Sequence, residues 1–89
     1  MKLRFPNPSR SFDETKNRVM FWGYDSSIEI SFFVELDALK QLCPNMGSVE
    51  DEFFKAFDSA RNRIYEVADQ LYASGGKRSY SYVLAAKDF

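Results

Sequence analysis

The sequence predicts an α+β fold of two layers: a mostly antiparallel sheet with a short and a long helix packed on one of its faces. Three observations carry this prediction. Alternating aromatic and β-branched residues crowd the stretch up to position 35, residues 36–73 shift to a helical period, and a last alternating run lies near the end. The order is β-β-β-α-α-β, with strands grouped ahead of helices and no βαβ rhythm. A chain of 89 residues fits one domain, 1–89, without internal repeats or a dividing linker. Its nine Phe, five Tyr and one Trp can each bury ~150–250 Å², which is the payload of a packed core rather than of a disordered tail.

The first element opens on FPNPSRSFD (5–13). Pro6 and Pro8 lack amide donors and fix their own φ angles, so residues 5–8 form a stiff extended arm at a sheet edge and not a central strand. Arg10 and Asp13 are the residues expected to hold that arm against the fold. Ser9–Asp13 is a candidate strand, and DETKN (13–17) turns the chain into the next one. RVMFWGY (18–24) and SIEISFFVE (27–35) follow as strands. In the second, Ile28, Ile30, Phe32 and Val34 share one face, while Glu29, Ser31 and Glu35 share the other with an intruder, Phe33. Asp25-Ser26-Ser27 between the runs closes a hairpin.

LDALKQLC (36–43) is a short helix stopped by Pro44. Ser48 reads as the N-cap of the long helix, with Glu50, Asp51 and Glu52 in the first turn, where the helix dipole favours negative charge. That helix extends to about Ala73, and Gly75-Gly76 supplies a left-handed residue to close it. Phe53, Phe57, Ala60, Ile64, Val67, Ala68 and Leu71 form its apolar face. Its ~25 residues would reach ~37 Å, against ~26 Å for a strand of about eight residues. The helix must therefore overhang the sheet or break. SYSYVLAA (79–86) is the last strand.

Composition closes several chemistries. The chain has no histidine, which excludes a His-based triad, a His general base and His metal ligands. One cysteine, Cys43, builds neither a disulfide nor a zinc site, and it points to a reducing compartment. No metal, no cofactor and no catalytic residue is expected. No segment reads as a signal peptide or approaches the ~18 apolar residues of a membrane span, so the expected location is cytoplasmic. The net charge of −1 marks neither a nucleic-acid magnet nor an acidic tail.

Three function classes follow in order of preference. The first is a non-enzymatic protein-interaction or regulatory module, self-associating or binding another protein. Its candidate residues are Phe54, Arg61, Tyr65 and Tyr72 on the flank of the long helix, with Arg10 presented beside Trp22 and Tyr24 to capture an anionic group. The second is a single-stranded nucleic-acid binder in which Lys77 and Arg78 meet phosphates while Tyr80 and Tyr82 stack on bases, Trp22 and Tyr24 widening the platform. The acidic pI of 5.3 weighs against it. The third is a carboxylate enzyme using two of Asp25, Glu29 and Glu35; a solvated strand face explains these acids more simply.

Phe5-Pro6, Arg10-Ser11-Phe12-Asp13, Phe21-Trp22-Gly23-Tyr24-Asp25, the run Glu29 through Glu35 and the closing Asp88-Phe89 resemble, in this order, a family of small, mostly bacterial proteins known as domain of unknown function 1488. The resemblance spans nearly the whole chain. Phe12 departs from the tyrosine that the family pattern leads one to expect. The resemblance implies a bacterial cytoplasmic α+β domain and brings no catalytic residue with it.

Overall fold

The computed structural model of the chain describes residues 3–76 and 79–89. It has the two layers expected. Strands β1 (Ser11–Asp13), β2 (Arg18–Asp25) and β3 (Ile28–Glu35) form an antiparallel meander. Helices α1 (Leu36–Leu42), α2 (Glu50–Ser59) and α3 (Arg61–Ser74) follow, then β4 (Ser81–Leu84) and a single 3₁₀ turn at Ala86–Asp88. The sheet order is β1-β2-β3-β4. Because the helices intervene between β3 and β4, the chain returns in the same direction and the two strands pair in parallel.

The hairpin register dictates the core. Val19 lies opposite Val34, Phe21 opposite Phe32 and Gly23 opposite Ile30. All of these point toward the helices and all are buried. Phe57, Ile64, Val67 and Ala68 meet them from α2 and α3, Ala38 and Leu39 from α1, and Leu84 from β4. Phe21 is central: its ring lies 5.3 Å from Phe32, 5.2 Å from Phe57 and 5.7 Å from Tyr65.

The expected long helix is two helices. Ala60 leaves helical geometry (φ −107°, ψ 13°) and its amide is shared between the carbonyls of Ala56 and Phe57. The Ser59 hydroxyl also donates to Ala56 O at 3.0 Å, the back-bonding that bends helices. A straight rod would have overshot the strands; the break lets both segments keep their apolar sides on the sheet. Ser48 is not the N-cap. The chain enters α2 one residue later, through Val49, which is extended and makes no side-chain cap bond. At the far end Gly76 takes φ 75°, the expected left-handed closure.

The N-terminal arm is held otherwise than expected. Arg4 exchanges two backbone hydrogen bonds with Tyr24 at 2.9 and 2.8 Å, extending the β2 edge beyond β1. The Leu3 amide donates to Asp69 Oδ1 at 2.8 Å, and Phe5 stacks on Tyr65 at 4.0 Å with the rings 6° from parallel. Arg10 does bind the helical layer, through Asp58 at 2.9 Å and over the Phe54 ring at 4.6 Å. Both members of that ion pair are solvated, and such pairs stabilise by only ~0.2–1 kcal/mol. Burying an apolar side chain such as Leu3 is worth ~1.5–3 kcal/mol, so Leu3 and Phe5 carry the arm and Arg10 orients it. Asp13 does not hold the arm. It accepts from Thr15 and from Arg18 Nε and closes the β1–β2 turn.

Two expectations follow for stability. A Cβ at Gly23 would stand 2.7 Å from the Phe5 ring. Gly23→Ala should therefore cost about 1–3 kcal/mol through overpacking, measured by urea unfolding. In Phe5→Ala the same substitution should cost much less; additivity within ~0.5 kcal/mol would show that the ring is not what requires glycine. The Tyr72 hydroxyl donates to Asp25 Oδ2 at 2.6 Å. That bond, with burial, pushes the phenol up to about 12 from its ordinary 10.0. The folded state holds this proton more tightly, so the contribution is complete below the unfolded value and fades as pH rises through the folded one. Stability should fall across that alkaline window, and Tyr72→Phe should flatten the fall; an unchanged slope would assign it to another group.

Candidate functional site

Side chains of a strand alternate between faces, so the register that builds the core also builds its reverse. The helices cover one side of the sheet. On the other, the residues stand in rows across the strands. Asp13, Arg18 and Glu35 form the first row, and Ser11, Met20, Phe33 and Val83 the second. Trp22, Ser31 and Ser81 form the third, and Tyr24 and Glu29 the last. Among the described residues no helix packs over this side; the N-terminal arm reaches it at the Tyr24 end, where the Asn7 side chain hydrogen-bonds that residue. Met20, Trp22 and Phe33 are half-buried, and Val83 is 44% exposed.

Polar groups frame this apolar centre. At one end the Arg18 guanidinium lies over the Phe33 ring, its central carbon 3.8 Å from the ring centroid, while its Nε donates to Asp13 at 3.0 Å. The Thr15 hydroxyl and Arg18 hold the Asp13 carboxyl below its usual range. Glu35, directly across from Arg18, has no hydrogen-bond or ion-pair partner among the described residues. At the other end the Tyr24 hydroxyl donates to Glu29 at 2.8 Å, which pushes the phenol upward. The centre is uncharged, and charged and hydroxyl groups stand at both of its ends.

The structure divides the seven residues expected to bind a partner. Trp22 and Tyr24 are together on the open face. Arg10, Phe54, Arg61, Tyr65 and Tyr72 are on the helical side, so Arg10 is not presented beside Trp22 and Tyr24. Arg61 donates to Asp58 at 2.6 Å and to the Tyr65 hydroxyl at 2.6 Å. Burial disfavours its charge, but these two partners outweigh that and raise its pKa. Tyr65 lies under Phe5, and Tyr72 is only 4% exposed. The N-terminal arm thus covers Tyr65 and part of Phe54, while Tyr72 is covered by Asp25 and Tyr82.

Of the other two groupings, the described residues bring together neither the four rings nor the acids. Tyr82 turns inward with Phe32, 5.8 Å from its ring, whereas Tyr80 is 69% exposed and Trp22 and Tyr24 occupy the opposite face. These four rings make no common platform; Lys77 and Arg78 lie outside the described residues. Of the acids, Asp25 faces the helices and bonds Tyr72, while Glu29 and Glu35 are six positions apart on one strand. That separates them by ~20 Å, too far to act on one bond, which requires about 5–10 Å. Cys43 Sγ sits 3.3 Å from the Ser59 hydroxyl beside a shallow hollow of about 370 Å³. No group of three metal-ligating side chains converges among the described residues. No helix among them is long and apolar enough to cross a membrane.

Sequence reasoning missed Met20, Phe33 and Val83 as site residues. The signal was present: Phe33 breaks the polar pattern of its strand face, and register shows that Met20 and Val83 flank it.

The fold recurs in a solved structure. A protein of unknown function from the DUF1488 family of Shewanella loihica PV-4, whose crystal structure is known at 1.60 Å resolution, superposes with a TM-score of 0.78. The alignment covers 91% of each chain at 14% identity, and at that identity it establishes the fold alone. No curated protein matches the chain. The family model described as "Protein of unknown function (DUF1488)" matches residues 3–84. The chain therefore belongs to the DUF1488 family.

Proposed function

We propose that this protein is a non-enzymatic protein-interaction module of the bacterial cytoplasm, and that it docks its partner on the uncovered face of the sheet. The observation that carries this reading is the set Met20, Trp22, Phe33 and Val83, brought together by register on a side that no helix covers among the described residues. A sheet face that only contacts water favours polar side chains. Aromatic residues and Met are enriched where proteins meet, with polar groups at the rim. Trp22 and Arg18 are of the types that most often dominate interface energy. The absence of histidine from the sequence and the separation of Glu29 from Glu35 give no support to acid–base catalysis.

A photoreactive phenylalanine analogue placed at Phe33 should form protein adducts on illumination in a lysate of the native host. The same group at Asn62, on the exposed side of α3, should give few. Equal labelling from both positions, or none from Phe33, would remove the open face as the docking surface.

A further inference from the structure

Resting on that reading, we infer that the occupant of the open face is a second copy of this chain, related by a two-fold axis running between β2 and β3 and parallel to them. The inference comes from what the register places opposite what. Arg18 pairs across the hairpin with Glu35, Met20 with Phe33, Trp22 with Ser31 and Tyr24 with Glu29. A two-fold parallel to the strands exchanges β2 with β3 and β1 with β4 while keeping every row level. Each residue on β2 then faces its own register partner from the other copy.

Those contacts are complementary in charge and in size. Arg18 of each copy meets Glu35 of the other, so the interface has two symmetric cation–carboxylate contacts. The monomer leaves both groups prepared for them. Asp13 occupies only the Arg18 Nε, the terminal guanidinium nitrogens make no hydrogen bond among the described residues, and Glu35 is unpartnered there. The indole of Trp22 meets the small Ser31, with Ser81 beside it, so the largest side chain of the face is set against its smallest ones. Met20 meets Phe33, a flexible thioether against a ring. At the edges Ser11 meets Val83.

The dimensions suffice. Four strands span ~19 Å and the two long ones run ~26 Å. A face of that size on each copy buries on the order of 1,000 Å² in total, the threshold for a specific interface. Sheets pack face to face with their strands within about 30° of each other, which this axis allows. A foreign partner would have to reproduce both the charge order and the small residues opposite Trp22; the chain already carries both.

Sedimentation equilibrium on the full chain, from micromolar to millimolar concentration, is expected to show monomer and dimer. Arg18→Glu and Glu35→Arg each set like charges against each other at both symmetric contacts. Each should weaken self-association by at least ~10-fold, while circular dichroism reports a folded chain. An equimolar mixture of the two should dimerise again, because one copy then carries only acids at these positions and the other only bases. Ser31→Trp, which touches no charge, should also abolish the dimer by filling the space that the opposing Trp22 needs; it keeps the test open if a charge variant fails to fold. A wild type that stays monomeric to millimolar concentration overturns the inference. So does a dimer indifferent to Ser31→Trp, or a mixture of charge variants that remains monomeric. A monomeric wild type that still yields Phe33 adducts with other proteins sinks the self-pairing alone; a monomer without adducts sinks the docking surface too.

Discussion

The pairing of β2 with β3 is the constraint on which the rest of the molecule depends. Their eight-residue register puts Phe21 beside Phe32 on the helical side and Met20 beside Phe33 on the other. A slip of one residue would exchange the two faces and send the core to solvent. The buried rings enforce the register, and the open face inherits its composition from that choice. Burial energy on one side thereby determines which chemistry is displayed on the other.

The helical layer is completed by a segment that is not helical. Leu3 and Phe5 fill the gap between the β2 edge and α3, and Gly23 leaves room for the Phe5 ring. This arm uses the aromatic residues of the α3 flank that would otherwise offer a second sticky surface. The two prolines that follow keep the same stretch from offering amides to a neighbouring chain. The result is a protein whose helical side is closed and whose sheet side is open. That asymmetry is what directs attention to the sheet.

The open face also bears on how the apolar residues there coexist with solubility. Arg18 covers part of Phe33, and Met20, Trp22 and Phe33 are each half-buried, while Val83 remains exposed. Acids and hydroxyls occupy the ends and edges. The same layering, an apolar centre within a polar rim, is the usual anatomy of an interface.

Much of the fold was legible in the sequence because it depends on local periodicity. The hairpin, the meander and the closing strand follow from alternation, and the helix ends from Pro44 and the glycine pair. What periodicity resolved less well was partnership. The wheel assigned Tyr65 and Tyr72 to an exposed flank because it registers angle along one helix and not what folds across it, Phe5 of the arm on Tyr65 and Asp25 with Tyr82 on Tyr72. Phe33 was visible as an intruder, yet its neighbours Met20 and Val83 lie 13 and 50 positions away and meet it only through register. The break at Ala60 was left open for a similar reason: the length of a helix is local, whereas the length of what it must cover is not. The sequence by itself determined which segments are strands and helices and which side of each is apolar, since both depend on neighbours along the chain. Only the tertiary structure decided which apolar side was covered and which was left bare, because that depends on contacts between residues far apart in sequence.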